Sequence, residues 1–251
     1  MRLLTIPMSH YCEKARWALE YLDVPYTEIG RLQGFHYPAA FWHGGGPMVP
    51  VLIPDDGPAI ADSTAILRHL DRGKDTLYPP DLPDIAALEE RFDDVLGVET
   101  RRWLYLKSLT RPELLNYAAY SAPSWQLPVG RKVFALMRLF ISRRLDVREQ
   151  TVNAGLERIE AILAKVEARL SDGRRYLCGD RFTAADLSYA CMVTPIVLPR
   201  EYGIPLPDPS FLGDGAGLVH RTRDRPAGQF ALRLFSEDRP SPPRLSDPIK
   251  P

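Results

Sequence analysis

The residues with the most chemical promise near the start of the chain are Ser9 and Cys12. They stand as Ser9-His10-Tyr11-Cys12 where a short apolar run gives way to a helical pattern. The first N–H groups of a helix have no partner within it, and the dipole places partial positive charge there. A serine hydroxyl at that point either caps the helix or adds a donor to an anion cradle, and both readings stay open. Further on, Met48-Val49-Pro50-Val51-Leu52 sets a proline inside an apolar strand run, where it removes a ladder N–H. A cis peptide before Pro50 would turn the chain and offer the backbone N–H and C=O of Val49 to a ligand; an edge strand or bulge is the plain alternative. Asp62-Ser63-Thr64 opens another helix. Its hydroxyl and N–H groups suit an α-carboxylate, with Asp62 facing the ammonium, or Asp62 and Ser63 only form a cap. Thr183-Ala184-Ala185-Asp186 is a capping box in Asp form, stapled by Phe182 and Leu187, and carries no chemistry.

The elements that must position these residues fall into zones. Arg2 to Ile6 and Pro25 to Ile29 read as strands around a helix from Ser9 to Leu22, with Ala15, Ala18, Leu19 and Leu22 on its apolar stripe and Glu13, Lys14 and Glu20 off it. Residues 33–47 read as an irregular loop ending in glycines. Val49 to Ile53 and Ala59 to Ala61 flank Pro54-Asp55-Asp56-Gly57-Pro58 as a hairpin, and a helix follows from Asp62-Ser63 to Leu70. Residues 1–75 are therefore expected to form a small α/β sheet domain. A proline-rich linker occupies 76–83. Residues 84–204 carry helical stripes throughout, including Ile85, Leu88, Phe92, Val95, Leu96 and then Leu156, Ile159, Leu163, Val166, Leu170, which predicts an all-α bundle. Pro195 is expected to kink or shorten its last long helix. The proline-rich tail, 205–251, should be mostly extended or loosely packed, apart from a helix over Ala227 to Asp238 that docks through Phe230, Leu234 and Phe235. The last dozen residues are expected to be mobile.

Of 251 residues, 45% are hydrophobic and 25% charged, which excludes a disordered chain. Lys+Arg and Asp+Glu both number 32, so neither nucleic acid nor a membrane surface is an expected partner. No apolar run is long enough to span a bilayer, and the N-terminal apolar stretch is too short for a signal peptide. The three cysteines, Cys12, Cys178 and Cys191, are an odd set at wide spacing, which suits free thiols in the cytoplasm. Cys178 and Cys191 read as small core residues.

Taken in order, Ser-x-x-Cys after the first strand, Val49-Pro50 before the third, Asp62-Ser63 after the fourth and Gly179-Asp180-Arg181-Phe182-Thr183-Ala184-Ala185-Asp186 in an all-α region resemble the cytosolic glutathione transferase superfamily over about residues 2–200. The resemblance implies a thioredoxin-like α/β domain that binds glutathione, a helical domain that holds the electrophile, and a homodimer. It makes glutathione the co-substrate, with no metal, and a small hydrophobic electrophile the other partner. It places Ser9 at the catalytic position, the Val49 backbone against the cysteinyl part of glutathione, Pro50 as the cis-proline, and Asp62 and Ser63 at the γ-glutamyl end. The family's usual basic or amide side chain for the glycine carboxylate lies between strands 2 and 3; with no Lys there, His36 is the first choice, followed by Trp42 or His43. Tyr11 is a second candidate donor to sulfur, and His10 is expected to be exposed. Cys12 opens a different reading, a glutathione-dependent thiol transferase. A non-catalytic ligand-binding protein of the same fold is a third. Trp103, Tyr105, Tyr117, Tyr120 and Trp125 are candidates for the electrophile pocket or for core packing. Trp17 and Tyr21 are expected against the helical domain, and the segment around Phe230 to cover the pocket.

Overall fold

The computed structural model describes residues 1–240. The N-terminal elements are β1 (Arg2–Thr5), α1 (His10–Tyr21), β2 (Thr27–Gly30), α2 (His36–Trp42), β3 (Val51–Ile53), β4 (Ile60–Ala61) and α3 (Ser63–Leu70). The sheet order is β2-β1-β3-β4. β1 runs parallel to β2, with Leu3 opposite Glu28, and antiparallel to β3, with Leu3 opposite Leu52. This is the thioredoxin-like arrangement. α2 corrects the expectation of a loop over 33–47. The glycines that suggested a loop begin at Gly44, after the helix has ended, and Pro38 falls in its first turn, where a missing N–H removes no intrahelical bond.

The helical domain opens with α4 (Ile85–Arg91), a π-helical turn (Phe92–Leu96) and α5 (Gly97–Ser108), running on without a break in helical backbone. Three short helices follow: α6 (Leu114–Ala118), α7 (Gln126–Lys132) and α8 (Phe134–Arg144). α9 (Glu149–Leu170) and α10 (Ala184–Val197) complete the centre. All of α10 is buried, as its nearly unbroken apolar sequence requires. It runs through Pro195 for two further residues and stops at Leu198, whose φ of 45° is left-handed. The capping box forms: the Asp186 carboxylate accepts the N–H groups of Thr183 and Leu177 at 2.9 and 2.7 Å.

The described part of the segment after Pro205 is not loose. A 3-10 helix (Pro209–Gly215), α11 (Ala216–Asp224) and α12 (Pro226–Glu237) pack onto the bundle. Pro209 and Pro226 fall at helix starts, where they punctuate helices without breaking them. α12 docks through Phe230, Leu234 and Phe235, as its spacing predicts. Phe235 meets Trp17 at 4.8 Å, and Phe182 lies 5.7 Å from Trp17 and 4.8 Å from Tyr21. α12 therefore seals the face of α1 remote from the sheet and does not cover the pocket described below. The expectation of mobility for the last dozen residues falls on residues beyond 240, outside the described set.

Candidate active site

α1 begins where β1 ends because Pro7 stops the strand and Ser9 caps the helix. The Ser9 backbone is extended (φ −74°, ψ 123°), and its Oγ accepts the N–H of Cys12 at 3.4 Å. Ser9 also lines a cavity of about 890 Å³ between the two domains. The Val49-Pro50 peptide is cis, and both residues line the same cavity. Opposite them Asp62 caps α3, its carboxylate accepting Ala65 N–H at 3.1 Å, while Ser63 is buried in the wall. Asp62 has φ 81° and ψ 135°, a combination that L residues rarely adopt, and such outliers gather at ligand sites. Ser9, Tyr11, His36, Val49, Pro50, Asp62 and Ser63 thus converge on one cavity.

Cys12 does not join them. It is fully buried on the inner side of α1, and burial pushes its thiol up to about 11. A thiol so held is neither exposed nor ionised at neutral pH. Cys178 and Cys191 are likewise free and buried. Tyr11 lines the cavity, but its hydroxyl donates to the Asp93 carbonyl at 2.7 Å, so its proton is committed. His10, expected at the surface, is buried: its Nε2 meets the Gly97 carbonyl at 3.1 Å. Burial and the nearby Arg101 push its pKa down to about 3, so the ring is neutral. Both contacts come from one device. The π-turn in the α4–α5 rod presents backbone carbonyls to the first turn of α1, and π-turns often mark functional sites. Gly97 permits the approach, since a Cβ there would lie 2.8 Å from the Tyr11 hydroxyl and 2.4 Å from Met192 Sδ.

His36 reaches the cavity wall as a neutral ring. Burial pushes it down to about 4, Gly34 N–H donates to Nδ1 at 3.1 Å, and the Pro47 backbone engages the ring as well. It offers no cation to a carboxylate. Trp42 and His43 are outside the cavity lining, and Trp42 is 86% exposed. Gln33, which sequence reasoning passed over, does line it; its Oε1 accepts from the Tyr105 hydroxyl at 2.7 Å, which leaves its amide N–H₂ to face a ligand. Of the candidate aromatics, Tyr105 lines the cavity, Trp103 is core, and Tyr120 and Trp125 are exposed.

Behind the site lies a buried charge cluster that the helical periodicity hid. Lys14 is fully buried, pairs with Glu89 at 2.8 Å and Asp93 at 2.5 Å, and donates to Thr64 Oγ1 at 3.0 Å. Burial alone would lower its pKa, but the two carboxylates outweigh burial and hold it raised. The cluster ties α1, α3 and the α4–π-turn segment together directly beneath Ser9 and Ser63. Glu13 and Arg16 are buried in a second cluster on the other side of α1. α1 has no solvent face there because the sheet, α3, α10 and α12 enclose it.

No His/Cys/Asp/Glu group suited to a metal occurs among the described residues, and none of their helices is long and apolar enough to cross a membrane. The model of the glutathione S-transferase N-terminal domain matches residues 3–76, and that of the glutathione S-transferase C-terminal domain matches 149–214. A glutathione S-transferase of Arabidopsis thaliana, PM239X14, is 29% identical over 186 residues, 70% of this chain and 72% of its own length. Among solved structures, a glutathione S-transferase of Ceriporiopsis subvermispora in complex with glutathione superposes with a TM-score of 0.65 at 18% identity, covering 96% of this chain and 98% of its own. The glutathione transferase GSTFuA3 of Phanerochaete chrysosporium gives a TM-score of 0.62 at 16% identity over 94% of this chain and 95% of its own. With both domain models matched in order, a curated relative across most of the chain, and the fold shared end to end, this chain belongs to the glutathione S-transferase superfamily.

Proposed function

We propose that the protein conjugates the thiolate of glutathione to small hydrophobic electrophiles, and that the Ser9 hydroxyl stabilises that thiolate. The observation that carries this reading is the state of Ser9. One lone pair of its oxygen caps α1, while its proton goes to no acceptor among the described residues and its side chain borders the cavity. A thiol of pKa ~8.5 is only about 3% ionised at pH 7. Lowering it by about two units corresponds to ~2.7 kcal/mol of preferential thiolate stabilisation. A hydrogen bond to a charged group is worth roughly 1.5–3 kcal/mol, so one O–H with the helix N-terminus is the right size. The thiol proton leaves to solvent. The sulfur electron pair then forms the C–S bond, and the leaving group departs with its own bonding pair.

In this reading the Val49 backbone pairs with the cysteinyl unit, and Asp62 with the N–H groups and hydroxyl of Ser63 grips the γ-glutamyl end. Gln33 replaces His36 at the glycine carboxylate, because the His36 ring is neutral and already bonded. The burial of Cys12 weighs against the thiol-transferase alternative. We further propose a homodimer, supported by exposed large apolar side chains on both domains: Phe41, Trp42 and Met48 on one, and Trp125, Leu136 and Leu139 on the other. Free thiols suit the cytoplasm. The test is a pair of variants assayed with 1-chloro-2,4-dinitrobenzene. Ser9→Ala is expected to lower kcat/KM roughly 10–100-fold at pH 6.5, and Cys12→Ala to leave it unchanged. The reverse pattern, with activity on a glutathione mixed disulfide, would establish the thiol transferase instead.

A further inference from the structure

The cavity wall holds a cation that the fold does not use. Arg101 lies on the stripe Asp94, Val98, Arg101, Tyr105 of the α4–α5 rod, and all four line the cavity. Its guanidinium sits 5.5 Å from the Tyr11 ring centroid. Among the described residues it has no ion-pair partner and no hydrogen-bond acceptor, and its Nε is shut from solvent without a partner. Arg101 as a residue is half-buried, whereas the fully buried cations Lys14, Arg16 and Arg239 each meet two carboxylates. A shielded donor left without an acceptor is costly and calls for a ligand.

The acids that share the cavity do not supply one. Asp93 and Glu89 are held by Lys14, and Asp62 caps α3. Asp94 and Glu90 stand about two and three turns earlier on the same rod, roughly 10 and 16 Å along its axis for a rise of 1.5 Å per residue. The wall contributed by α6 and α8 is apolar, with Leu114, Leu115, Phe134, Met137 and Ile141, and Arg144 closes the lining at the end of α8. Arg101 also lies between the two stretches that match the family models.

We propose that Arg101 is the anion-recognising residue of the electrophile pocket, and that the substrates are amphipathic electrophiles carrying a carboxylate beside a hydrophobic body. The guanidinium fork receives the carboxylate, the α6–α8 wall takes the apolar part, and the electrophilic carbon is left facing Ser9. This rests on the conjugation reading above. The same fork could take the glycine carboxylate of glutathione, so the test is made on glutathione-loaded protein.

Calorimetric titration with 3,5-dinitrobenzoate and with 3,5-dinitrobenzamide, neither of which has a leaving group, measures the preference without turnover. The wild type is expected to bind the acid roughly 10–100-fold tighter than the amide. Arg101→Gln is expected to abolish that difference and Arg101→Lys to keep part of it, with glutathione affinity unchanged in both. Equal binding of acid and amide by the wild type would overturn the proposal. So would an equal loss for both ligands in Arg101→Gln, or a loss of glutathione affinity in place of the acid preference. Absence of conjugation of 1-chloro-2,4-dinitrobenzene alongside a retained acid preference would sink the conjugation reading and leave the anion site standing.

Discussion

At Ser9 capping and catalysis do not compete. The cap uses an oxygen lone pair and leaves the O–H proton for a ligand, so a motif with two readings from sequence has room for both. The residues next to it are fixed differently. His10 is neutral because burial, with Arg101 close by, outweighs its contact with the Gly97 carbonyl. Its folded-state pKa of about 3 lies below the unfolded value near 6.5, so its contribution to stability is intact above that value and is lost as pH falls towards 3. His36, pushed down to about 4, acts in the same sense, while Asp186, pushed up to about 6 by burial, acts in the opposite one. His10→Gln keeps a donor near Nε2 and removes the titration. Chemical denaturation at pH 7 and pH 4.5 should show the variant losing about 2–3 kcal/mol less than the wild type across that interval. An identical loss would mean that His10 is charged in the folded protein.

α1 is the element on which the site depends, and it is held from both sides. Beneath it the Lys14 cluster joins α3 and the α4–π-turn segment. Above it Arg239 is fully buried and pairs with Glu13 at 2.9 Å and with Glu20, while the Trp17 indole donates to the Asp238 carbonyl at 3.2 Å. Removing one partner of a buried ion pair strands the other, at roughly 3–5 kcal/mol. Arg239→Ala should therefore lower unfolding free energy in urea by about that amount; a loss under about 1 kcal/mol would show that the C-terminal clasp is not structural. The sequence showed the strands, the caps and the docking face of α12, because those signals are local: a turn, a cap, a 3.6-residue stripe. One by one, Ser9, Val49, Pro50, Asp62 and Ser63 were legible only as caps and a strand proline; it was the resemblance to a known family that made them a set. The sequence did not show the burial of Glu13, Lys14 and Arg16, since a helix enclosed on every side by three other layers loses the polar face that periodicity looks for. Gln33 and Arg101 were invisible for a related reason. Their roles depend on which turns of a distant helix reach the cavity, and a π-turn shifts that register.

The molecule as a whole places the proposed reaction site in a cavity between the sheet domain, proposed to position glutathione, and a helical domain whose α6–α8 wall is apolar. Exposed large apolar side chains lie on both domains, an arrangement that a two-fold dimer can cover. Trp42→Glu puts a charge among those of the sheet domain and should shift the sedimentation profile at micromolar protein from dimer to monomer; an unchanged dimer would place the interface elsewhere. Stabilisation of the bound thiolate by Ser9 is electrostatic, and it can be read from the thiolate absorbance of bound glutathione in an ultraviolet pH titration. The bound thiol is expected to ionise near pH 6.5, about two units below the free thiol, and Ser9→Ala to move it most of the way back. A bound thiol that still ionises near 8.5, with or without Ser9, would contradict that stabilisation.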